Sequence, residues 1–330
     1  LKNNFKVNLA LLIFSSGISI YTIEIYFEIV SANIKKYNDN NLENIIQEKN
    51  ENGLEVFSNY YPSNPLVLKS NGLKTANGNI YPLSGISNIV NIVCNESGYW
   101  SIYNSDEHGF NNRKNLYNTN KTDIVLIGDS FTEGSCVRPD ETIGSNLEES
   151  GFNVINLGKG SNGPLLELAI LREYAEPLAP KILLWIYFTN DLVELKNEIK
   201  STFLKNYLNA NEFTQDLFAR QNEINSVMRN FYSELDKKEN KIEKVVQHWL
   251  PRVLRLSNLR TKLNLTPKLV VPSVKSAELD TFRRILKRSK IKVNNWGGKM
   301  YFVYLPAFKR YSNGNEHKLR EPVLRTISAL

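Results

Sequence analysis

Short apolar runs alternate with amphipathic stretches through the middle of the chain, and this alternation predicts a parallel β-sheet. Three runs, IVLIG (124–128), NVINLG (153–158) and KILLWIYF (181–188), are bounded by glycine or polar residues and are predicted to be buried strands. Between them apolar residues recur at helical spacing, and strand–helix–strand order is typical of parallel sheets with right-handed crossovers. We therefore expect residues 123–330 to form an α/β domain.

A fourth strand is predicted much later in the chain, at MYFVYLP (300–306). The intervening stretch is mostly helical in pattern, which places a long helical insertion at about 192–298, after the third core strand. Its lysines and arginines supply much of the positive charge of the chain, and solvated helix faces are their simplest explanation.

Upstream of the first strand, residues 31–122 are predicted to form a stalk followed by a β-rich lead-in region. Residues 33–52 are rich in Asn, Glu and Lys, as expected of a stalk or an exposed helix. Residues 53–122 carry repeated turn signals, such as YYPSNP and YPLSG, between short β-type runs such as NIVNIVC.

Residues 1–30 are predicted to be a membrane anchor. Residues 7–23 are apolar or small throughout except for Asn8, and at 1.5 Å per residue they span roughly 25 Å. Extending the span to Val30 includes Glu24 and Glu28, which are costly in lipid unless they lie at the far interface. We expect an uncleaved transmembrane helix, with the bulk of the chain exported.

Two alternatives to an uncleaved anchor remain open. The small residues before Asn33 would suit cleavage of a signal peptide after Ala32, and a buried helix of a soluble protein can have the same composition. Lys2 and Lys6 favour an N-terminus inside the cell, although lysines on the other flank weaken that inference. Because the chain begins with Leu rather than Met, we expect it to be a fragment.

Composition narrows the choice of partners. The net charge of +7 fits anionic partners such as nucleic acid, acidic glycan or lipid headgroups, and it also fits a surface of solvated lysines. The sequence has no zinc-type Cys/His spacing, no P-loop and no dinucleotide-binding fingerprint. We therefore expect no metal, no cofactor and no nucleic-acid partner.

The two cysteines, Cys94 and Cys136, are expected to form a disulfide if the protein is exported. Cys94 ends the run NIVNIVC, and Cys136 follows the first core strand, so a bridge would tie the lead-in region to the segment after that strand. Two separate buried thiols are the alternative.

Each of the first three predicted strands ends in a loop suited to acyl transfer. The first ends in Gly128-Asp129-Ser130, the second in NLGKGSNGP (156–164) and the third in FTND (188–191). In a parallel sheet these loops leave the same edge, where a hydroxyl, a glycine N–H and an amide can surround a tetrahedral intermediate. The alternatives are local: Ser130 with Glu133 fits a capping box, the glycine loop fits a tight turn, and Thr189 or Asn190 fits a helix cap.

These blocks, in this order and spacing, resemble the SGNH (GDSL) hydrolase superfamily. GDSFTEG resembles its first block, NLGKGSNG its second and FTND its third, although Phe188-Thr189 replaces the usual glycine before Asn-Asp. The stretch YNSDEHGFNN resembles the lead-in segment of exported members. The resemblance covers about residues 85–192 well and the last strand loosely, and it implies a flavodoxin-like, three-layer αβα fold.

The resemblance also implies roles for individual residues. Ser130 would be the nucleophile, and the oxyanion hole would consist of the Ser130 N–H, the Gly160 N–H and the Asn190 side chain. Gly158 and Gly163 are alternatives to Gly160.

The histidine base of the family, which lies in an Asp-x-x-His pattern after the last strand, has no counterpart in this sequence. His108 precedes the nucleophile strand, His248 belongs to the insertion, and His317 comes before a further helical pattern. We expect the catalytic Asp and His to lie beyond Leu330, with His317 a poor substitute.

Two functions follow from these expectations. The first is a membrane-anchored serine hydrolase or O-acyltransferase, with its catalytic domain in the periplasm or on the cell surface, acting on O-acyl esters such as acetyl groups on a cell-surface or secreted polysaccharide. The second is a non-catalytic glycan-binding or polysaccharide-assembly module on the same fold. The departure at Phe188-Thr189 and the missing histidine both leave room for it.

Overall fold

The computed structural model describes residues 2–75, 78–96, 98–118, 122–238, 249–263, 265, 276–314 and 317–330. Contacts group the chain into two units, one of Leu1–Asn52 with Glu234–Val271 and the other of Gly53–Ser233 with Pro272–Leu330. The strands are β1 (Val56–Ser58), β2 (Leu73–Thr75), β3 (Gly78–Ile80), β4 (Val90–Ile92), β5 (Ile102–Asn104), β6 (Ile124–Gly128), β7 (Val154–Asn156), β8 (Ile182–Tyr187) and β9 (Lys299–Tyr304). The α-helices are α1 (Lys2–Glu51), α2 (Pro65–Ser70), α3 (Ser130–Glu133), α4 (Ile143–Glu149), α5 (Pro164–Ile170), α6 (Glu176–Leu178), α7 (Asp191–Glu198), α8 (Thr202–Asn209), α9 (Gln221–Lys238), α10 (249–254), α11 (Ser257–Lys262), α12 (Ser276–Asn295), α13 (Phe308–Asn313) and α14 (Arg320–Ser328).

The four predicted core strands form one parallel sheet, in the order β7–β6–β8–β9. Ile124 is aligned with Val154 on one side and with Ile182 on the other, so the first three strands are in step. The loops that follow them therefore leave the sheet at one edge, as the sequence predicts.

Helices pack on both faces of this sheet. In β6, Val125 and Ile127 point into the main core, whereas Ile124 and Leu126 belong to a smaller cluster with Ile143 and Leu147 of α4. All of β6 is buried, which explains why its sequence is a continuous apolar run rather than an alternating one. The protein is thus a mixed α/β structure built on a parallel sheet.

The helical region between β8 and β9 contributes to the main core. Leu195 of α7, Leu204 of α8 and Phe282 of α12 are fully buried there. Residues 234–271 instead belong to the unit that contains α1. The stretch predicted to be one insertion is therefore divided between the two units.

The lead-in region contains a small mixed sheet and a hairpin. β4 pairs with β1 in parallel and with β5 in antiparallel orientation, and β2 pairs with β3. Tyr81, Leu83 and Ile86 are buried in the same core as the large sheet, so this region packs on the α/β domain.

The other unit is dominated by α1, a single helix of 50 residues. Its segment Asn4–Ile34 is long and apolar enough to cross a membrane, and its large apolar side chains, such as Leu12 and Phe14, are exposed. The helix continues without a break through the stretch predicted to be a stalk.

Cys94 and Cys136 form the predicted disulfide, with their Cα atoms 5.6 Å apart. This separation lies within the range that a disulfide can bridge without backbone movement. The bond ties the lead-in region, just after β4, to the segment that follows α3.

Candidate active site

Ser130 is the first residue of α3 and directly follows β6. Asp129 caps this helix, since its side chain accepts the Phe131 N–H at 3.0 Å. Ser130 is half-buried, and its own N–H has no hydrogen-bond partner among the described residues. Glu133 is fully buried and does not reach back to the start of the helix. The capping-box explanation of Ser130 and Glu133 is therefore wrong.

Asn190 follows β8, and its side chain lies beside the Asp129 carboxylate together with the Ser130 hydroxyl. Burial raises the pKa of Asp129, while contacts from the Phe131 N–H, the Asn190 amide and the Ser130 hydroxyl oppose that rise. Within the described parts of the chain, Asp129 Oδ2 has no hydrogen bond of normal length, so the amide and the hydroxyl are neighbours rather than tight partners. The rings of Phe131 and Phe188 lie 4.1 Å apart. The first and third loops thus meet at Asp129.

The glycines of the second loop do not offer free N–H groups. Each of the three candidate glycines donates its N–H to a side chain of the protein. The acceptors are Asn156 Oδ1 for Gly158 (2.9 Å), Glu133 Oε2 for Gly160 (2.8 Å) and Glu198 Oε1 for Gly163 (2.6 Å). The Gly160 N–H, predicted to face the substrate, is therefore occupied, and so are its two alternatives.

Ser161 carries the N–H of this loop that lacks a partner within the described residues. It is exposed, and its φ of 59° lies in the left-handed region, which is uncommon for a residue other than glycine. Ser161 thus carries the backbone N–H of this loop that is not hydrogen-bonded within the described chain. The sequence does not single it out, because serine has no special signal at such a position.

A buried ion pair holds Glu133 in the position where it accepts the Gly160 N–H. Lys159 Nζ lies 2.8 Å from Glu133 Oε1, and both side chains are 0% exposed. Lys159 also donates to Asn59 Oδ1 at 2.8 Å, and the Tyr103 hydroxyl lies 3.1 Å from Glu133 Oε1. Burial raises the pKa of Glu133, but the charge of Lys159 together with hydrogen bonds from Lys159, Asn59 and Ser135 outweighs burial and holds that pKa below its usual value. The ion pair links α3, which carries Glu133, to the second loop, which carries Lys159. Hydrogen bonds to Asn59 and Tyr103 connect the pair to the lead-in region.

Glycine in the second loop is required by packing. A Cβ at Gly158 would lie 2.4 Å from the backbone nitrogen of Glu133, and a Cβ at Gly160 would lie 2.3 Å from the ring of Tyr61. Neither distance is sterically possible without movement. The glycines that suggested close approach of a substrate instead permit close approach of α3 and the lead-in region.

Three further carboxyl groups lie close enough to Asp129 to interact with it or with each other: Asp191, Glu167 of α5 and Glu198 of α7. All three are fully buried. Glu198 accepts N–H groups at the start of α5, whereas both oxygens of Glu167 lack a hydrogen bond of normal length within the described chain. Burial raises all three pKa values, that of Glu198 to about 8. At Glu167 burial is the largest cause, and the nearby carboxyl groups of Asp191 and Glu198 raise its pKa further.

Sequence reasoning missed this carboxyl group although one signal was present. Glu167 is the single charged residue in the run PLLELAI, all of which is buried. Among the described residues, no set of three or more His, Cys, Asp or Glu side chains is arranged to hold a metal ion.

Raising the pH from about 6 to about 9 should lower the free energy of unfolding, because these carboxyl groups must lose protons inside the fold. Their folded pKa values lie above the unfolded values, so the stability that they contribute is complete below about pH 4 and is lost as the pH passes the folded pKa, about 8 for Glu198. Urea unfolding at the two pH values measures the loss.

A glutamine at position 167 should flatten this pH dependence, because an amide resembles the protonated acid and does not titrate. Glu149 is exposed, so Glu149→Gln serves as the matched control. Its free energy of unfolding should change with pH as steeply as that of the wild type. Equal slopes in Glu167→Gln and the wild type would show that Glu167 does not titrate in this range.

Neither described histidine contacts Ser130. The His108 ring packs between Phe218, 4.2 Å away, and Tyr117, 4.5 Å away, and burial lowers its pKa to about 4. His317 Nδ1 lies 3.4 Å from the Leu319 N–H, and burial lowers its pKa as well. His248 lies outside the described residues.

Comparison with known proteins yields little similarity. No protein-family model matches the chain, and no curated protein matches it. Among solved structures, a mutant of the esterase AlinE4 is similar at a TM-score of 0.24 and 14% identity, covering 63% of this chain and 92% of that one. The function proposed below therefore rests on the residues of the site.

Proposed function

We propose that the protein is a serine hydrolase or acyltransferase of the SGNH type, with Ser130 as its nucleophile. The observation that carries the proposal is the meeting of Ser130 and Asn190 at Asp129, on the edge of a parallel sheet where all three loops emerge. That edge is where open α/β sheets bind ligands. Ser130 is half-buried rather than enclosed, which is compatible with access of a substrate.

The groups around Ser130 suit acyl transfer. Attack of Ser130 Oγ on an ester carbonyl would form a tetrahedral intermediate whose oxyanion needs preorganised donors. The Ser130 N–H and the Ser161 N–H are free within the described chain, and the Asn190 amide has two N–H groups, of which Asp129 engages at most one. We assign these three groups to the oxyanion hole, with Ser161 in the place first given to Gly160. A general base would take the proton of the Ser130 hydroxyl during attack and return it to the leaving oxygen, so that collapse of the intermediate releases the alcohol. Water or another hydroxyl, deprotonated by the same base, would then accept the acyl group and free Ser130.

The proposed substrate is an O-acyl ester, such as an acetyl group on a cell-surface or secreted polysaccharide. This choice follows from the resemblance of the three blocks and from the length and apolarity of α1, which is suited to hold an exported catalytic domain at a membrane. The disulfide is in keeping with an oxidising compartment.

A fluorophosphonate probe tests the nucleophile directly. The purified full chain should be labelled once, at Ser130, as located by mass spectrometry after proteolysis. Ser130→Ala should abolish labelling, and Ser150→Ala, which changes an exposed serine at the end of α4, should not. Asn190→Ala should slow labelling by about 100-fold or more, the usual effect of losing one oxyanion donor. Labelling that survives in Ser130→Ala would contradict the assignment.

A second candidate is a non-catalytic glycan-binding module on the same fold. It is favoured by one observation, that no histidine among the described residues contacts Ser130. This candidate predicts that Ser130 stays unlabelled while an acetylated polysaccharide still binds, as calorimetric titration would show.

A further inference from the structure

A short helical stretch in the unit that contains α1 exposes both apolar and basic side chains. Residues 249–263, which we call the interfacial segment, form α10, a turn and α11. Large apolar side chains of this segment are exposed: Trp249, Leu250, Leu254 and Leu263. Basic residues alternate with them: Arg252, Arg255, Arg260 and Lys262. Exposed apolar and cationic side chains in one short helical stretch are typical of elements that lie in a membrane interface.

Glu24 fixes the interfacial segment against α1. It lies within the apolar span of α1, yet it is fully buried. Its carboxylate accepts the backbone N–H groups of Asn258 and Leu259, each at 2.8 Å. Leu256, at the N-cap of α11, provides no side-chain cap, so Glu24 satisfies the first turn of that helix from another part of the chain. A carboxylate that would be costly in lipid is thereby hydrogen-bonded.

Glu28, one turn further along α1, is held in the same way. Arg252 Nε lies 3.1 Å from its carboxylate, and the Asn258 amide also donates to it. Lys262 Nζ lies 4.7 Å from the ring centre of Phe27. The interfacial segment therefore follows α1 over the turn from Glu24 to Glu28, with both acidic groups neutralised or capped by it.

The position of this turn along α1 matches the thickness of a bilayer. At 1.5 Å per residue, Glu24 lies about 26 Å and Glu28 about 32 Å from Val7, where the apolar run begins. The hydrocarbon core of a bilayer is about 30 Å thick. If Val7 lies at one boundary of the core, Glu24 and Glu28 lie at the other, where carboxylates and their cationic partners can reach water.

We propose that the interfacial segment lies in the headgroup region of the same membrane that α1 spans, with Trp249 and its leucines in the acyl boundary and its basic side chains on anionic phosphates. Lipid is the occupant that the structure favours, because the segment is hydrogen-bonded and ion-paired to the end of the apolar span of α1 and its own large apolar side chains are exposed. Tryptophan and arginine are suited to this boundary, since each combines an apolar body with a polar end. The inference rests on the proposed spanning of a membrane by α1.

Site-directed spin labelling tests it on the full chain. Both native cysteines are paired, so a cysteine introduced at Leu254 is the single site for a nitroxide. The labelled protein is placed in nanodiscs of phosphatidylcholine and phosphatidylglycerol, and power saturation compares collisions with oxygen, which enters lipid, and with a nickel chelate, which stays in water. Phe14→Cys in α1 is the lipid reference, and the exposed Lys196→Cys is the aqueous reference.

The label at Leu254 should show an oxygen-to-nickel ratio several-fold above that of Lys196→Cys and close to that of Phe14→Cys. A label at Leu263→Cys, at the other end of the segment, should show a similarly high ratio. This second position controls for a local effect of the substitution at Leu254. A lipid-like ratio at Phe14 with water-like ratios at both leucines would overturn the inference while leaving the anchor intact. Water-like ratios at all three positions would overturn the anchor itself.

Discussion

Replacing Lys159 by methionine should destabilise the protein by about 3–5 kcal/mol, the usual cost of leaving one member of a buried ion pair without its partner. Methionine keeps most of the volume of lysine, so the loss comes from the charge. Glu133 would remain as a carboxylate at 0% exposure, with Lys159 Nζ removed from 2.8 Å. Guanidinium unfolding of the full chain, followed by tryptophan fluorescence to which the buried Trp185 contributes, measures the change in midpoint.

Lys181→Met is the matched control, because Lys181 also makes an ion pair at 2.7 Å, with Asp123, but is 70% exposed. Solvent screens such a pair, and its loss should hardly move the midpoint. Adding Glu133→Gln to Lys159→Met should recover part of the loss, since no buried charge then remains. Equal unfolding midpoints for Lys159→Met and Lys181→Met would show that Lys159 and Glu133 do not form an ionised pair.

Lys159→Met should also slow the reaction of Ser130 with the fluorophosphonate probe. Lys159 precedes the left-handed turn at Ser161 by two residues, and Glu133 ends the short helix that Ser130 begins. The ion pair therefore fixes the second loop relative to the first, and in our assignment both loops supply oxyanion donors. A positional error near 1 Å in such donors costs on the order of 100-fold in rate. Lys159→Met should accordingly slow labelling of Ser130, and Lys181→Met should not.

The parallel sheet was predictable because its signal is local. β6 and β7 are buried along their whole length, so the requirement for apolar residues falls on consecutive positions and is visible in runs such as IVLIG, whereas the edge strand β9 is partly exposed. Helical spacing between the runs fixed the connection type, and the common edge of the three loops followed from the direction of the strands. None of these steps needs knowledge of a distant contact.

The residues whose surroundings differ from the prediction are those with partners far away in the sequence. Glu133 satisfies the spacing of a capping box, but its partners Lys159 and Asn59 are 26 and 74 residues away along the chain. A lysine between two glycines in a polar loop gives no sign that it is buried, so the occupation of the Gly160 N–H could not be read from the sequence. The Ser161 N–H is left without a partner in the described chain, whereas its glycine neighbours donate to Asn156, Glu133 and Glu198.

Acidic residues within apolar runs indicate buried or partly buried carboxyl groups in this protein. Glu24 and Glu28 interrupt the apolar helix, and Glu167 interrupts the buried run of α5. Each marks a place where burial of a carboxyl group needs a special arrangement: donors from the interfacial segment for the first two, and a raised pKa for the third. The arrangement itself could not be predicted, because the donors to Glu24 come from residues more than two hundred positions away.

Removing the disulfide should cost about 4 kcal/mol in the free energy of unfolding, the chain-entropy value for a closed loop of this length. Cys94 and Cys136 are 42 residues apart, and the loop between them contains β5 and β6 together with Ser130. The double variant Cys94→Ser/Cys136→Ser is preferred to either single change, because a single change leaves a reactive thiol near the site. Thermal unfolding of the full chain should show a lower midpoint in the double variant.

Reduction of the wild-type protein provides the control, because it opens the same loop without changing a residue. Dithiothreitol should lower the wild-type midpoint to nearly that of the double variant and should leave the double variant unchanged. The bond also ties the lead-in region to the end of α3, so its loss should release Tyr61 and Asn59 from Gly160 and Glu133 before the sheet unfolds. Hydrogen exchange at the Gly160 N–H, which Glu133 accepts, should then rise ahead of exchange in β6. An unchanged midpoint on reduction would mean that the unfolded chain gains no freedom when the bond is opened.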